Sequence, residues 1–184
     1  AIPGLSYNWT TTVGSVTSAG VFTAQTVSAV VGYVNATIGT VTGAVKTTII
    51  PDQLALIRVA PSSVSVTAGT TQAFSAAGYD QYNNSIPGLS FNWTTSVGSM
   101  AGSTLTAQTL ASVLGYVRAT IGLVAGDSAV YIIPAALDHT DMSPASLNAT
   151  AGKPYSLTPT GRDRYNNAIP GLSYNWTTTV GSVT

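Results

Sequence analysis

Two loops of related sequence concentrate oxygen-bearing side chains that could bind a metal ion. One reads DQYNN (80–84) and the other DRYNN (163–167). Carboxylate and amide oxygens are ligands that Ca²⁺ accepts. The candidate calcium ligands are Asp80, Asn83, Asp163 and Asn166. Each loop has only one carboxylate, and Asp and Asn also form Asx turns and adopt left-handed backbone angles. We therefore predict a structural turn in each loop, with calcium binding as the alternative.

The triplet Asn-X-Ser/Thr, the acceptor of N-linked glycans, occurs six times in the chain. Its asparagines are Asn8, Asn35, Asn83, Asn92, Asn148 and Asn175. A chain rich in Asn and Thr contains such triplets by chance, so the orientation of each one matters. Three of them precede a tryptophan on the opposite face of a strand, and Asn35 lies on an outward face. We predict N-linked glycans on the outward triplets, with Asn35 and Asn92 first.

The residues that enzymes use for catalysis are scarce. His139 is the only histidine, and its counterpart 83 residues earlier is the apolar Leu56. The six acidic residues are all aspartates, so no glutamate can take part in general acid–base work. Without cysteine, disulfides and thiolate metal sites are excluded. We expect no enzyme, no cofactor, no catalytic residues, and a structural or exposed histidine.

The charge balance excludes further classes of partner. Lys and Arg number six and the formal net charge is zero, so the chain lacks the basic surface that nucleic-acid binding requires. No apolar run reaches the roughly 18 residues of a membrane-spanning helix. Weak charge also removes much of the repulsion between copies, which suits a protein that self-associates or carries sugar.

An internal repeat organises the whole chain. Residues 1–17 and 168–184 are identical, and a looser copy begins at Ile86. The offset is 84 from Ile2 to Ile86 and 83 from Ile86 to Ile169. We predict one complete module at 54–136, the later part of a module at 1–53 and the earlier part of the next at 137–184. The chain begins without methionine or a signal peptide, and we expect it to be a processed or excerpted piece. The two partial modules then need neighbouring chain to complete their cores.

The complete module contains seven segments that read as strands. They are Leu54–Val59, Ser63–Ala68, Thr71–Tyr79, Leu89–Thr95, Ser103–Thr109, Val113–Gly122 and Asp127–Ile133. Each is rich in Val, Ile, Thr or aromatic residues and alternates with period two, and Gly, Pro and Asn separate them. Seven short strands in about 80 residues are typical of an immunoglobulin-like sandwich. The sequence therefore predicts an all-β fold of tandem immunoglobulin-like β-sandwich modules of about 83 residues.

Alternation also predicts the core residues. Leu89, Phe91 and Trp93 share one face of their strand. We expect this aromatic face to point inward, with Trp93 as a buried core residue. Trp9 and Trp176 occupy the corresponding positions in the flanking modules, and we expect the same of them.

Four motifs together resemble a known family of repeats. They are SVTAGTTQAFSA (65–76), GYDQYNNSIPGLSFNW (78–93), VGSM (97–100) and GYVRATIG (115–122). They are similar to the bacterial and archaeal Ig-like tandem repeats of cell-surface proteins, of the intimin/invasin and surface-layer types. The resemblance covers essentially the whole chain. It implies an extracellular spacer, adhesin stalk or filament subunit at the cell surface, and it supplies no catalytic residues.

These observations favour a structural repeat unit of an extracellular filament, stalk or surface fibre, assembled end to end. A ligand- or carbohydrate-binding adhesin module is the alternative. We expect self-association in which Ala1–Gln53 packs against strands equivalent to Leu137–Arg162 of the preceding unit. One continuous polypeptide or strand donation between separate subunits would each produce this packing.

Overall fold

The computed structural model describes residues 5–182, and these residues form strands joined by turns, with no helix among them. The first five strands are β1 (Asn8–Thr11), β2 (Gly14–Val16), β3 (Phe22–Ala24), β4 (Val30–Ile38) and β5 (Val41–Ile49). The next five are β6 (Leu56–Ala60), β7 (Ser63–Thr67), β8 (Thr71–Ala73), β9 (Ser75–Tyr79) and β10 (Ser85–Ile86). The last seven are β11 (Asn92–Thr95), β12 (Gly98–Ala101), β13 (Thr104–Ala107), β14 (Val113–Ile121), β15 (Val124–Ile133), β16 (Leu137–Ser143) and β17 (Thr158–Asp163). The predicted all-β sandwich fold class is confirmed.

The strands form several small sheets rather than one large sheet. Their strand orders are β1-β4-β5, β2-β3, β10-β9-β6, β11-β14-β15-β7, β12-β13-β8 and β16-β17. The chain divides into two compact units. The described part of the first is 5–58, 76–91 and 119–126, and that of the second is 59–75, 92–118 and 127–182. The module boundaries at 53/54 and 136/137 stay a prediction.

In the first unit, strands β4 and β5 form a long antiparallel hairpin. The ladder runs from Val30 opposite Ile49 to Ile38 opposite Val41. Gly39 in the connecting turn has a φ of 56°, a left-handed angle that glycine adopts without a steric penalty. Strand β1 pairs with the other edge of β4. The alternation of β4 buries Val34 and exposes its neighbour Tyr33, as a strand with one core face requires.

In the second unit, β15 has a parallel neighbour on one side. The sheet order places β15 between β14 and β7. Its pairing with β7 is parallel, from Ala129 opposite Ser63 to Ile133 opposite Thr67. The core of this unit is apolar and fully enclosed, and it includes Val97, Leu105, Val117, Val130 and Ile132.

Within 54–136 the structure splits one predicted strand, shortens the predicted Leu89–Thr95 to β11 (Asn92–Thr95), and adds two other strands. The segment predicted as a single strand, Thr71–Tyr79, is split into β8 and β9 at Phe74. Strand β8 pairs with β13, whereas β9 pairs with β10, so the chain changes sheets at this point. The Phe74 side chain is buried there, and its N–H donates to the carbonyl of Ser103 at 2.9 Å. The short strands β10 and β12 are additional to the predicted set.

The tryptophans are less buried than predicted. In β11 the alternation is as expected, because Trp93 is half-buried while Asn92 is exposed. Strand β11 is at the edge of its sheet, which leaves part of a large indole open to solvent. Trp9 is half-buried on β1, which is also an edge strand. Trp176 is 42% exposed, and it lies in a segment, residues 172–178, that forms no strand.

Candidate functional site

The DQYNN loop forms an Asx turn between β9 and β10. One carboxylate oxygen of Asp80, Oδ1, accepts the N–H groups of Tyr82 at 2.9 Å and Asn84 at 2.8 Å. Asn83, between these two, has a φ of 67°. An Asx turn is defined by an Asp side chain that accepts the N–H two residues later. Here an Asn with a left-handed backbone angle follows, so the loop is the structural turn that the sequence predicts.

The end of this loop reaches a distant part of the chain. The amide of Asn84 donates to the carbonyl of Thr26 at 2.7 Å, and its Oδ1 accepts the N–H of Ser28 at 2.9 Å. The same amide also donates to Oδ2 of Asp80 at 2.8 Å. That carboxylate oxygen further accepts the N–H of Asp52 at 2.9 Å. We call this arrangement the first Asp-Asn cluster. It connects the loop to main-chain groups of the predicted preceding module.

A second Asp-Asn cluster repeats the first 83 residues later. Oδ1 of Asp163 accepts the N–H groups of Tyr165 and Asn167, each at 2.9 Å. Oδ2 accepts the amide of Asn167 at 2.9 Å and the N–H of Ala135 at 2.8 Å.

The outward contacts of Asn167 are also repeated. Its amide donates to the carbonyl of Thr109 at 2.7 Å, and its Oδ1 accepts the N–H of Ala111 at 2.9 Å. Each of the six residues of this cluster lies 83 positions after its counterpart in the first cluster. The chain has therefore kept one complete hydrogen-bond arrangement in two copies.

Both carboxylates are buried, with exposed fractions of 3% for Asp80 and 0% for Asp163. Four N–H donors surround each one, and such charge-assisted bonds offset the loss of water around a buried anion. Burial by itself raises the pKa of Asp163. Hydrogen bonds from the Asn167 side chain and three backbone N–H groups outweigh that effect and lower this pKa to about 2. The pKa of Asp80 is lowered by the same balance, with burial again opposing the hydrogen bonds.

The clusters do not assemble the proposed calcium ligands. Asn83 and Asn166 are exposed, and both oxygens of each aspartate already accept N–H donors, which a cation would have to displace. Within residues 5–182 no three histidine or carboxylate side chains come together as a metal site. Calcium binding at these loops stays a prediction. The residues that sequence reasoning missed are Asn84 and Asn167, although the Asp-X-X-X-Asn spacing shared by both loops marks them.

The six glycosylation candidates occupy several kinds of position. Asn8 on β1 and Asn92 on β11 are exposed. Asn35 is half-buried on β4, where it is paired with Thr10 of β1 and Ala44 of β5. The remaining three are exposed outside the strands and are Asn83, Asn148 and Asn175. Glycosylation at these residues stays a prediction.

The position equivalent to Asn35 in the middle repeat carries an ion pair instead of a sequon. Arg118 on β14 donates to Asp127 on β15 through Nε at 2.7 Å and a terminal nitrogen at 2.8 Å. These residues correspond to Asn35 and Ala44, 83 positions earlier. The hydrogen bond from Arg118 lowers the pKa of Asp127. The two repeats therefore differ in surface chemistry while sharing their strands.

His139 lies on the exposed strand β16, which is one of the two placements that the sequence predicts for it. Its Nδ1 is 3.0 Å from a carboxylate oxygen of Asp138, and its Nε2 is 4.0 Å from Asp141 on the same strand. Asp141 also accepts the Nε–H of Arg162 on β17. All seven residues of β16 are exposed, so this group of charges is solvated.

The comparisons with known proteins give only distant likenesses. No protein-family model and no curated protein matches the chain. Among solved structures, domains 4–9 of the surface layer protein SbsC are 17% identical with a TM-score of 0.37, over 94% of this chain and 30% of theirs. The Escherichia coli adhesin FdeC is 19% identical with a TM-score of 0.46, over 77% of this chain and 53% of its own. The chain thus spans about half or less of these proteins. Residues 5–182 contain no helix with the length and apolarity needed to cross a membrane.

Proposed function

We propose that this chain is a structural repeat unit of an extracellular filament, stalk or surface fibre in which units are joined end to end. The observation that carries the proposal is the duplicated Asp-Asn cluster. In each copy, a buried aspartate and its asparagine hold the main chain of the predicted preceding module through three hydrogen bonds. A junction repeated at the period of the sequence suits a protein whose task is to connect modules in series.

The surface chemistry agrees with this role. Charged residues make up only 7% of the chain, so neighbouring copies repel each other weakly. We include glycans on the exposed triplets in the proposal, because attached sugars would keep a weakly charged protein soluble at the cell surface. The proposal includes no catalytic activity, cofactor, nucleic acid or membrane span in this segment. An adhesin module that binds carbohydrate or protein is the other class to test, although no contact described above favours it.

Imaging of the native material tests the proposal directly. We expect a beaded rod or a helical filament with a repeat that matches one double unit. Isolated, monodisperse particles in native material would contradict it. An adhesin module would instead appear as isolated particles, and these particles would bind to specific members of a glycan or protein array.

Denaturing electrophoresis of the same material distinguishes the two ways of joining units. A ladder or a very large species indicates a continuous polypeptide. A single band near 18.7 kDa indicates separate subunits that share strands.

A further inference from the structure

The edge of β5 is open where its repeat counterpart is paired. Strand β15 has β14 on one side and β7 on the other, whereas β5 is the last strand of the order β1-β4-β5. The β15 residues that pair with β7 are Ala129–Ile133, and their counterparts in and just after β5 are residues 46–50. Within the described residues, this edge has no strand neighbour. An unpaired strand edge is a template for another strand.

The side chains beside this edge are open as well. Val45 is 65% exposed, whereas its counterpart Ser128 in the middle repeat is 0% exposed. Ile50, at the end of the open edge and on the opposite face from Val45, is 75% exposed, whereas its counterpart Ile133 is half-buried. Apolar side chains on the core face of a strand gain free energy when another element covers them.

The segment that could fill this edge is present at the other end of the chain. Residues 146–150 are the counterparts of β7, but residues 144–157 form no strand and are exposed. Leu147 takes the place of Val64 of β7 and is 43% exposed. In the middle repeat, the counterparts of this open edge and of this segment are β15 and β7, which pair with each other.

A glycine provides an independent indication of the same contact. A Cβ built at Gly126 would lie 2.3 Å from the carbonyl oxygen of Ile57, so the main chain at Ile57 packs directly on this glycine. Gly43 is the counterpart of Gly126, and a Cβ there would meet nothing within 4 Å. The counterpart of Ile57 is Thr140 on β16. Gly43 therefore offers the flat surface for such a contact and has no neighbour on it.

We infer that a second copy of this chain completes the first sheet. Residues 146–150 of one copy pair in parallel with residues 46–50 of the next, and β16 of the first copy covers Gly43. Transfer of the register of β7 and β15 places Ser146 opposite Lys46, Asn148 opposite Thr48 and Thr150 opposite Ile50. This inference rests on the proposed end-to-end assembly and adds its partner segment and register.

The absence of cysteine allows a direct crosslinking test. Paired residues of neighbouring strands lie about 4.8 Å apart, within the range of roughly 4.4–6.8 Å that a disulfide spans between Cα atoms. Thr48→Cys and Asn148→Cys are made in separate chains and mixed under oxidising conditions. Both positions face outward, because their counterparts Tyr131 and Ser65 are exposed. We expect a reducible linked pair, formed at least about tenfold faster than between Thr48→Cys and the off-register Ser156→Cys.

A steric variant tests the same contact without crosslinking. Gly43→Val adds a side chain into open space in the free chain but into the main chain of the docked copy. We expect a folded monomer that no longer forms multimers in light scattering. Ala44→Leu, on the opposite face of β5, is the matched control and should assemble normally.

The outcomes separate the register from the proposed function. Multimers that form without the Thr48–Asn148 link, or that survive Gly43→Val, overturn the register and leave end-to-end assembly standing. Absence of multimers and of any link between mixed chains overturns both. A disulfide within one chain that carries both Thr48→Cys and Asn148→Cys, with no linked pairs, overturns the second copy as the occupant.

Discussion

Asp163 and Asn167 lie four residues apart and are joined by two hydrogen bonds, one from the N–H of Asn167 to Oδ1 and one from its amide to Oδ2, each at 2.9 Å. Asp80 and Asn84 make the same two bonds at 2.8 Å. The aspartate closes its own loop and orients the asparagine toward the preceding part of the chain. The two residues therefore act as one unit, and the loss of either disrupts both tasks.

Replacement of this asparagine should be costly. Asn167→Ala leaves the N–H of Ala111 and the carbonyl of Thr109 without their partner and removes a donor from Asp163. We expect the free energy of unfolding to fall by about 2–4 kcal/mol. Urea unfolding measures this. The matched control is Asn166→Gly, at an exposed residue with a φ of 67°, which should change stability by no more than about 0.5 kcal/mol. Equal effects of the two variants would contradict the arrangement.

Acid should weaken the second cluster. Because the pKa of Asp163 is lowered to about 2 in the folded chain, the folded state binds fewer protons than the unfolded state, in which Asp titrates near ~3.9. The contribution of Asp163 to stability is complete above the unfolded value and is lost as pH falls through the folded value. We expect the urea midpoint to drop between about pH 4 and pH 2.

The pH dependence has its own control. Asp163→Asn lowers stability at neutral pH, because its amide meets N–H donors, and it flattens the profile between about pH 4 and pH 2. A profile with the slope of the unsubstituted chain would show that Asp163 is not the titrating group.

Ser128 should be replaceable with a gain in stability. Its side chain is 0% exposed on β15, and its hydroxyl has no hydrogen-bond partner in the structure. An unpaired buried hydroxyl loses its water without compensation. We expect Ser128→Ala to raise the free energy of unfolding by about 1 kcal/mol. A loss of stability on this substitution would mean that the hydroxyl is bonded.

Gly98 should tolerate no side chain. Its φ is 151°, and an added Cβ would lie 2.0 Å from the carbonyl oxygen of Thr106 on the paired strand β13. We expect Gly98→Ala to cost about 1–3 kcal/mol from backbone strain, with the main-chain clash in addition. Gly102→Ala is the comparison, because Gly102 has a φ of 57° and open space around it, and should cost about 1–2 kcal/mol. Similar losses in thermal unfolding at both sites would refute the clash.

Glycans should be attached to outward-facing triplets in the native protein. Asn92 is exposed on β11, and Asn35 lies on the outward face of β4. We expect the intact mass of native material to exceed that of the bare polypeptide, and peptide mapping to place sugar at these residues first. A mass equal to the polypeptide would exclude glycosylation.

The strands could be predicted from local patterns, whereas the clusters could not be predicted completely. Period-two alternation bounded by Gly is sufficient for strands such as β14, predicted at Val113–Gly122 and observed at Val113–Ile121, and for most of β15. The Asx turn also follows from its own five residues. The partners of Asn84 are 56 and 58 residues away and are main-chain groups, so no side-chain type marks them. The buried fraction of the Trp93 side chain depends on the position of its strand at the edge of a sheet, and alternation alone does not predict that position.

In the preceding part of the chain, each Asp-Asn pair contacts only main-chain atoms. Ser28 and Asp52 of the first cluster are replaced by Ala111 and Ala135 in the second, yet the bond lengths agree within 0.1 Å. Any residue except proline, which has no N–H, can therefore occupy these positions. We therefore expect a predicted module that is inserted or deleted by recombination to bring its own Asp-Asn pair and to meet the same main-chain groups on its new neighbour. On this expectation, the gene could lengthen or shorten by whole predicted modules without compensating substitutions at the joint.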